Sequence, residues 1–343
     1  MAESNPPALA PKASNSTDRT DYIAPEDDDA VDSGPNYLDA VSETGSSTNS
    51  LSSSVLNFQY ENGRRYHAYR EGEYFAPNDE REQDRLDLHH HVYRVAIGGG
   101  LFRAPIGPNP GRVLDLGTGT GIWAIDMADD FPRSTVIGTD LSPIQSLWVP
   151  PNCYFEVDDF ESEWNFSRPF DFIHGRSLAG SIRDPPKFLE EALKNLNPGG
   201  WLELVDIAGE CFADDDTIKN APSCVKWAEL LEEASIKFGK RFNIPHLYKG
   251  WMEDAGYKNV KEDIYKIPFS PWAKDRRMKE LGAYQQVNLM EALEAYTLAP
   301  LTRVLGWRSE EVVAFLADVR KELLDRKIHL YGKLYFVYGQ KGA

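Results

Sequence analysis

The sequence predicts an α/β fold in which a doubly wound, mostly parallel sheet carries helices on both faces. Three observations point there. Between Arg112 and Ile207 short apolar runs alternate with helical stretches, the pattern of repeated strand–helix–strand units. One of these strands passes through three glycines at alternate positions straight into a helix. The chain of 343 residues is 41% apolar and 12% aromatic, enough to build the core of one large domain with extensions. Crossovers between parallel strands are almost always right-handed, which favours the doubly wound topology.

Residues 1–57 are rich in Ser, Asn, Asp, Pro and Ala and hold ten acidic against two basic side chains. Runs such as Glu26-Asp27-Asp28-Asp29 bury too little apolar area to offset their ordering entropy, so this stretch is predicted to be a disordered acidic tail. A single domain is predicted over 58–343. Its first part, 58–100, is aromatic and is expected to form a lid. Within it Asn78–Ile97 reads as a helix: Asn78 is a fair cap, acids fill the first turn, and Leu86, His89, Tyr93 and Ile97 recur at helical steps. Gly98-Gly99-Gly100 ends it.

The central part, 112–207, is expected to bind a cofactor. Its strands are Val113–Leu116, Thr135–Thr139, Tyr154–Val157, Phe170–His174 and Trp201–Ile207, and its helices are Ile122–Asp130 and Pro185–Leu196. Asp184 caps the second helix and Asn197-Pro198-Gly199-Gly200 stops it. The last part, 208–343, reads as helices near Pro222–Phe238, His246–Ala255, Trp272–Tyr296 and Ser309–Leu324, with strands Val260–Phe269 and Ile328–Tyr338. These helices and the lid segment are expected to cover a substrate and exclude water.

The stretch Val113-Leu114-Asp115-Leu116-Gly117-Thr118-Gly119-Thr120-Gly121 carries the chemistry. Gly117, Gly119 and Gly121 permit torsions and a close ligand approach that a Cβ would block, next to the amides of a helix start. The spacing is G-x-G-x-G, whereas a dinucleotide fingerprint is G-x-G-x-x-G. Asp115 would repel a pyrophosphate and attract the ammonium and sulfonium groups of S-adenosylmethionine. Asp140 ends the second strand, 19 residues past Gly121, at the distance of a carboxylate that accepts ribose hydroxyls. Asp158 and Asp159 end the third strand, where an adenine amino group could be read. Together these residues point to S-adenosylmethionine as the cofactor.

Other signals exclude more than they add. The net charge of −17, with −9 left outside residues 1–57, offers no basic face for nucleic acid. No apolar run is long enough to span a membrane and no secretory leader opens the chain, which predicts a cytoplasmic protein, or a nuclear one in a regulatory role. Cys153, Cys211 and Cys224 form no C-x-x-C pair and read as free thiols. His89-His90-His91 is not a metal site, since adjacent helical residues point about 100° apart; at most one faces the cofactor. His174 ends the fourth strand, where it packs on the cofactor or serves as a base; Asp206, ending the fifth, is a weaker candidate base. No catalytic residue is assigned, because proximity alone supplies much of the barrier reduction in methyl transfer. Trp251, Tyr257, Trp272, Tyr284 and Tyr296 recur among charges of both signs and suit a small apolar acceptor.

The sequence also resembles the LaeA-like fungal methyltransferases, a family of the class I methyltransferases. The resemblance rests on Glu61-Asn62-Gly63-Arg64-Arg65-Tyr66-His67, Pro77-Asn78-Asp79-Glu80, Asp84-Arg85-Leu86-Asp87, the glycine loop, Phe170-Asp171-Phe172-Ile173-His174-Gly175-Arg176 and Leu196-Asn197-Pro198-Gly199-Gly200. It spans roughly residues 58–340. It implies a Rossmann-like seven-stranded sheet whose last strand is antiparallel. It also implies S-adenosylmethionine at the glycine loop, at Asp140, at Asp158 and Asp159, and near His174. Members act in fungal secondary metabolism, either as enzymes on small molecules or as regulators working through protein partners.

Overall fold

The structure is a computed structural model that describes residues 22–26, 58–61, 63–66 and 75–343. A hairpin of β1 (Gln59–Glu61) and β2 (Arg64–Tyr66) precedes helix α1 (Glu80–Ala96). The body then runs β3 (Arg112–Leu116), α2 (Ile122–Asp130), β4 (Thr135–Asp140), β5 (Cys153–Val157), β6 (Phe170–Arg176), α3 (Pro185–Lys194) and β7 (Leu196–Ile207). It continues with α4 (Pro222–Phe238), α5 (Tyr248–Asp254), β8 (Lys258–Pro268), α6 (Arg276–Ala299), α7 (Ser309–Leu324) and β9 (Tyr331–Gln340).

Strands β3 to β9 make one seven-stranded sheet in the order β5-β4-β3-β6-β7-β9-β8. All neighbouring pairs are parallel except those of β9, which runs antiparallel to both β7 and β8. This is the Rossmann-like class I arrangement that the family resemblance implies. Side chains alternate across the sheet, so successive residues enter different cores. Val113 and Phe172 pack under α2 with Trp123 and Met127, while Leu114 and Ile173 pack on the other face with Leu189 and Tyr248. Val205 and Phe336 meet Val92 and Tyr93 of α1 and Leu281 of α6. Helices α4, α6 and α7 add a helical layer of their own around Trp227, Leu293 and Leu316.

The hairpin and α1 are joined by charge. Arg64 forms two hydrogen bonds to Asp79, whose carboxylate also accepts the Glu82 amide and caps α1. The cap is therefore Asp79 and not Asn78. Asn78 is taken by longer-range partners: its oxygen accepts from Arg65 Nε and its amide donates to Ser142 Oγ.

The predicted disordered tail needs correction where it is described. Ile23 is buried against Trp272, Ala273 and Tyr331, and Pro25 bridges Ala273 in antiparallel fashion. Glu26 donates its amide to Trp272, and its carboxylate pairs with Lys279. Residues 22–26 thus contribute a strand-like strap to the body; the rest of the predicted tail lies outside the described residues. No helix among the described residues is long and apolar enough to cross a membrane.

Candidate active site

The C-terminal ends of β3, β4, β5 and β6 open onto one cavity of about 120 Å³. Open α/β sheets bind ligands at these strand ends, where the loops diverge. Of the residues singled out from the sequence, Gly117, Gly119, Asp140, Asp158 and Asp159 line it together. Gly117 and Gly119 have φ of +62° and +59°, torsions that side chains oppose and that fold the loop back under the cavity. Gly121, at φ +84°, packs instead under Phe155, whose ring would lie 2.3 Å from any Cβ added there.

Asp140 holds this loop. Its two oxygens accept the amides of Gly119 and Ser142, each at 2.8 Å. Burial nevertheless pushes its carboxyl up to about 6, against the lowering effect of those two amides. Asp140 lines the cavity, and a carboxylate oxygen can accept more than one hydrogen bond, which suits a pair of ribose hydroxyls. Asp159 turns its carboxylate onto the Glu161 amide and Ser162 Oγ, capping the next turn, while Asp158 accepts the Asp159 amide through one oxygen.

Asp115 and His174 sit elsewhere. They are register partners on the adjacent strands β3 and β6, which brings His174 Nδ1 to 2.8 Å from Asp115 Oδ1. The other Asp115 oxygen accepts Thr118 Oγ1 at 2.6 Å. Both residues are buried behind the loop, and the His174 ring stacks on Trp123 at 3.8 Å. Burial lowers the pKa of His174, so the imidazole is neutral and donates to Asp115. The pair braces the glycine loop from behind. Neither Asp115 nor His174 lines the cavity, so the expected packing of His174 on the cofactor is not what this geometry gives.

Sequence reasoning missed most of the residues that α1 supplies. Glu82, Leu86 and His89 line the cavity, and Thr120 of the loop donates to Asp87 of α1. The three consecutive histidines diverge as helical geometry requires. His89 faces the cavity, His90 bonds Asp126 and His91 meets the Tyr284 ring. Among the described residues no cluster of His, Cys, Asp and Glu could hold a metal ion. Ser177 and Lys240 also line the cavity without a local sequence signal. Ser177 has φ +58°, a left-handed conformation that non-glycine residues adopt mostly where function or context forces it.

A second, larger cavity of about 170 Å³ adjoins the first and shares Ala76, His89, Ser177 and Lys240 with it. Its wall is mostly apolar, built around Phe75, Tyr93, Trp227, Phe242, Phe269 and Tyr296. Of the five aromatics expected to cover an acceptor, only Tyr296 lines it. Tyr257 and Trp272 are core residues whose polar atoms bond Leu189 and Leu330 carbonyls, and Trp251 packs on the core cluster that holds Tyr257. Of the titratable groups in this wall, His89 and Asp206 are both deeply buried with shifted pKa values. Burial lowers the pKa of His89 well below the imidazole range, and its Nε2 has no hydrogen-bond partner among the described residues. Asp206, ending β7, accepts the Tyr248 hydroxyl at 2.7 Å, and burial pushes its carboxyl up to about 7.

A loop floored by left-handed glycines and rimmed by Asp140 and Asp158 fits an adenosyl ligand bearing a positive centre. The comparisons with known proteins agree. A methyltransferase domain family matches residues 88–262. The methyltransferase pytC of Aspergillus terreus is 42% identical over 306 residues, covering 89% of this chain and 94% of its own. The secondary metabolism regulator LAE1 of Cochliobolus heterostrophus is 38% identical over 296 residues, or 84% and 96% of the two chains. The regulator laeA of Aspergillus fumigatus is 37% identical over 290 residues, or 82% and 76%. On the fold, the glycine-loop cavity and these relatives, the chain belongs to the LaeA-like family of fungal methyltransferases, whose cofactor is S-adenosylmethionine.

Proposed function

We propose that this protein methylates a small, largely apolar acceptor in fungal secondary metabolism, and that the acceptor occupies the second cavity. The observation that carries this reading is the shared wall: Ala76, His89, Ser177 and Lys240 belong to both cavities. S-adenosylmethionine supplies an electrophilic methyl group on a sulfonium. The chain itself supplies position and dryness. Asp140 and the glycine loop orient the adenosyl end, while α1 and α6 pack together over the sheet and limit the access of water. His89 and Asp206 are the groups placed to receive an acceptor's proton, the first as a neutral imidazole and the second as a carboxyl poised near neutrality.

The names of the regulator relatives favour a second reading, in which the output passes through a protein partner. One assay separates the two. The protein is incubated with methyl-labelled S-adenosylmethionine and either an organic extract of fungal metabolites or recombinant histones. Label is expected in the organic-soluble fraction. Label confined to protein would overturn the small-molecule reading and promote the regulatory one.

A further inference from the structure

The cofactor cavity is bordered by five acids, Glu82, Asp140, Asp158, Asp159 and Glu161, and by only two cations, Lys240 and Arg176. Lys240 Nζ is paired with Glu161 at 2.8 Å. Arg176 differs. It ends β6, and among the described residues no carboxylate lies within ion-pair distance of its guanidinium. What touches it is neutral: the Tyr93 ring lies 5.0 Å beneath it, and Nη1 donates to His90 Nδ1 at 3.0 Å. Burial lowers its pKa, the mark of a cation lacking full compensation. Such a group is costly to keep unless an anion joins it.

The contacts behind Arg176 fix its direction. A guanidinium only donates, so His90 Nδ1 must accept and its Nε2 must carry the hydrogen. Nε2 then donates to Asp126 Oδ2 at 3.0 Å, and Arg94 holds the same oxygen at 2.6 Å. This chain of partners engages one guanidinium nitrogen, Nη1, and Arg176 itself lines the cofactor cavity. Next in sequence, the left-handed Ser177 turns the backbone away at the strand end.

Sheet order supplies the span. Asp158 and Asp159 follow β5, Asp140 ends β4, the glycine loop follows β3, and Arg176 ends β6, all in spatial sequence. From β5 to β6 is three strand spacings, about 14 Å. That is the scale of an adenosyl amino acid laid across the strand ends, with adenine at the acidic end and amino acid at the other. The geometry points to Arg176 as the receptor for the carboxylate of the cofactor's amino acid, with His90 and Asp126 as its positioning residues. This rests on the cavity being the S-adenosylmethionine site.

Binding calorimetry tests it without any turnover, using S-adenosylhomocysteine, its decarboxylated analogue and 5′-methylthioadenosine, which lacks the whole amino acid. Wild-type protein should bind S-adenosylhomocysteine about 10- to 100-fold more tightly than the decarboxylated analogue, the worth of a charge-assisted contact. In Arg176→Met the two ligands should bind within threefold of each other. 5′-Methylthioadenosine should bind both proteins equally, reporting an intact fold. Arg176→Lys should recover part of the ratio, and Asp126→Asn should lower it by loosening His90. Equal binding of both amino-acid ligands by the wild type, or an unchanged ratio in Arg176→Met, overturns the assignment. If Arg176→Met does not fold, the wild-type ratio and Asp126→Asn still decide. Failure of the wild type to bind S-adenosylhomocysteine at all would instead bring down the cofactor reading of the cavity.

Discussion

Replacing Asp140 probes two tasks that the structure gives to one carboxylate. Toward the protein it accepts the Gly119 and Ser142 amides at 2.8 Å and so sets the loop. It also lines the cavity, where its oxygens are expected to accept ribose hydroxyls. Charge-assisted hydrogen bonds of this kind contribute about 1.5–3 kcal/mol each, less what water recovers on removal. Asp140→Ala should therefore weaken S-adenosylhomocysteine binding by about 2–3 kcal/mol, roughly 30- to 150-fold. The pH dependence sharpens the test. Burial raises this carboxyl to about 6 in the free protein, and only the ionised form accepts from both hydroxyls. Wild-type affinity should be full above about pH 6 and fall below it, by up to tenfold per unit. Asp140→Asn, which cannot ionise, should be weak and flat across the same range. Calorimetry from pH 5 to 8 reads both effects, with thermal melts confirming that the variants fold. An Asp140→Ala affinity within threefold of wild type, or parallel pH profiles for wild type and Asp140→Asn, would refute the reasoning.

Other perturbations address the frame. Gly121→Ala places a Cβ 2.3 Å from the Phe155 ring at φ +84° and should cost about 2–4 kcal/mol in a denaturant melt. Gly63→Ala, with nothing within 4 Å, should cost only about 1–2 kcal/mol for its left-handed backbone; equal losses at the two sites would contradict this packing. Glu203 is fully buried, accepts the Arg103 and Ala104 amides, and is pushed by burial up to about 8. Because its folded pKa lies above the unfolded value of 4.5, its contribution is full below about pH 4.5 and is lost as pH rises toward 8. Glu203→Gln keeps an acceptor for both amides and should flatten that decline; an unchanged slope of stability against pH from 5 to 8 would show that Glu203 does not cause it. Ile23→Ala should destabilise by about 1–3 kcal/mol in a urea titration, since Ile23 is buried against Trp272 and Tyr331; no effect would mean the strap does not hold.

Much of this was legible in the sequence because the sheet is built from local signals. Alternating strand and helix pointed to a mostly parallel sheet, the family resemblance implied its antiparallel last strand, and Gly117, Gly119, Asp140, Asp158 and Asp159 stood at strand ends that open onto a shared cavity. What escaped depends on register and on distant partners. Asp115 and His174 look like cavity residues until parallel pairing sets them side by side behind the loop. Asn78 and Asp79 are equally good caps by type, and only Arg65 and Ser142 decide that Asn78 is occupied elsewhere. The aromatics between Trp251 and Tyr296 could not be sorted by periodicity. Their partners come from distant parts of the chain, so Tyr257 joins the core with Leu189 and Tyr248, Trp272 packs with Ile23 and Tyr331, and of the five only Tyr296 reaches the larger cavity. Residues 22–26 were read with an acidic, Ser-rich neighbourhood, and one buried isoleucine with two edge hydrogen bonds is too short a signal to stand out from it.

The central claim is that the two adjoining cavities form one reaction chamber, cofactor on the glycine loop and acceptor beneath Trp227 and Phe242. A crystal structure with S-adenosylhomocysteine bound tests it most directly. The ribose should sit on Asp140 and the adenine beside Asp158, with the sulfur facing the shared wall of His89 and Ser177, open to the apolar cavity. A sulfur turned away from that wall, or a ligand bound outside the glycine loop, would contradict the account.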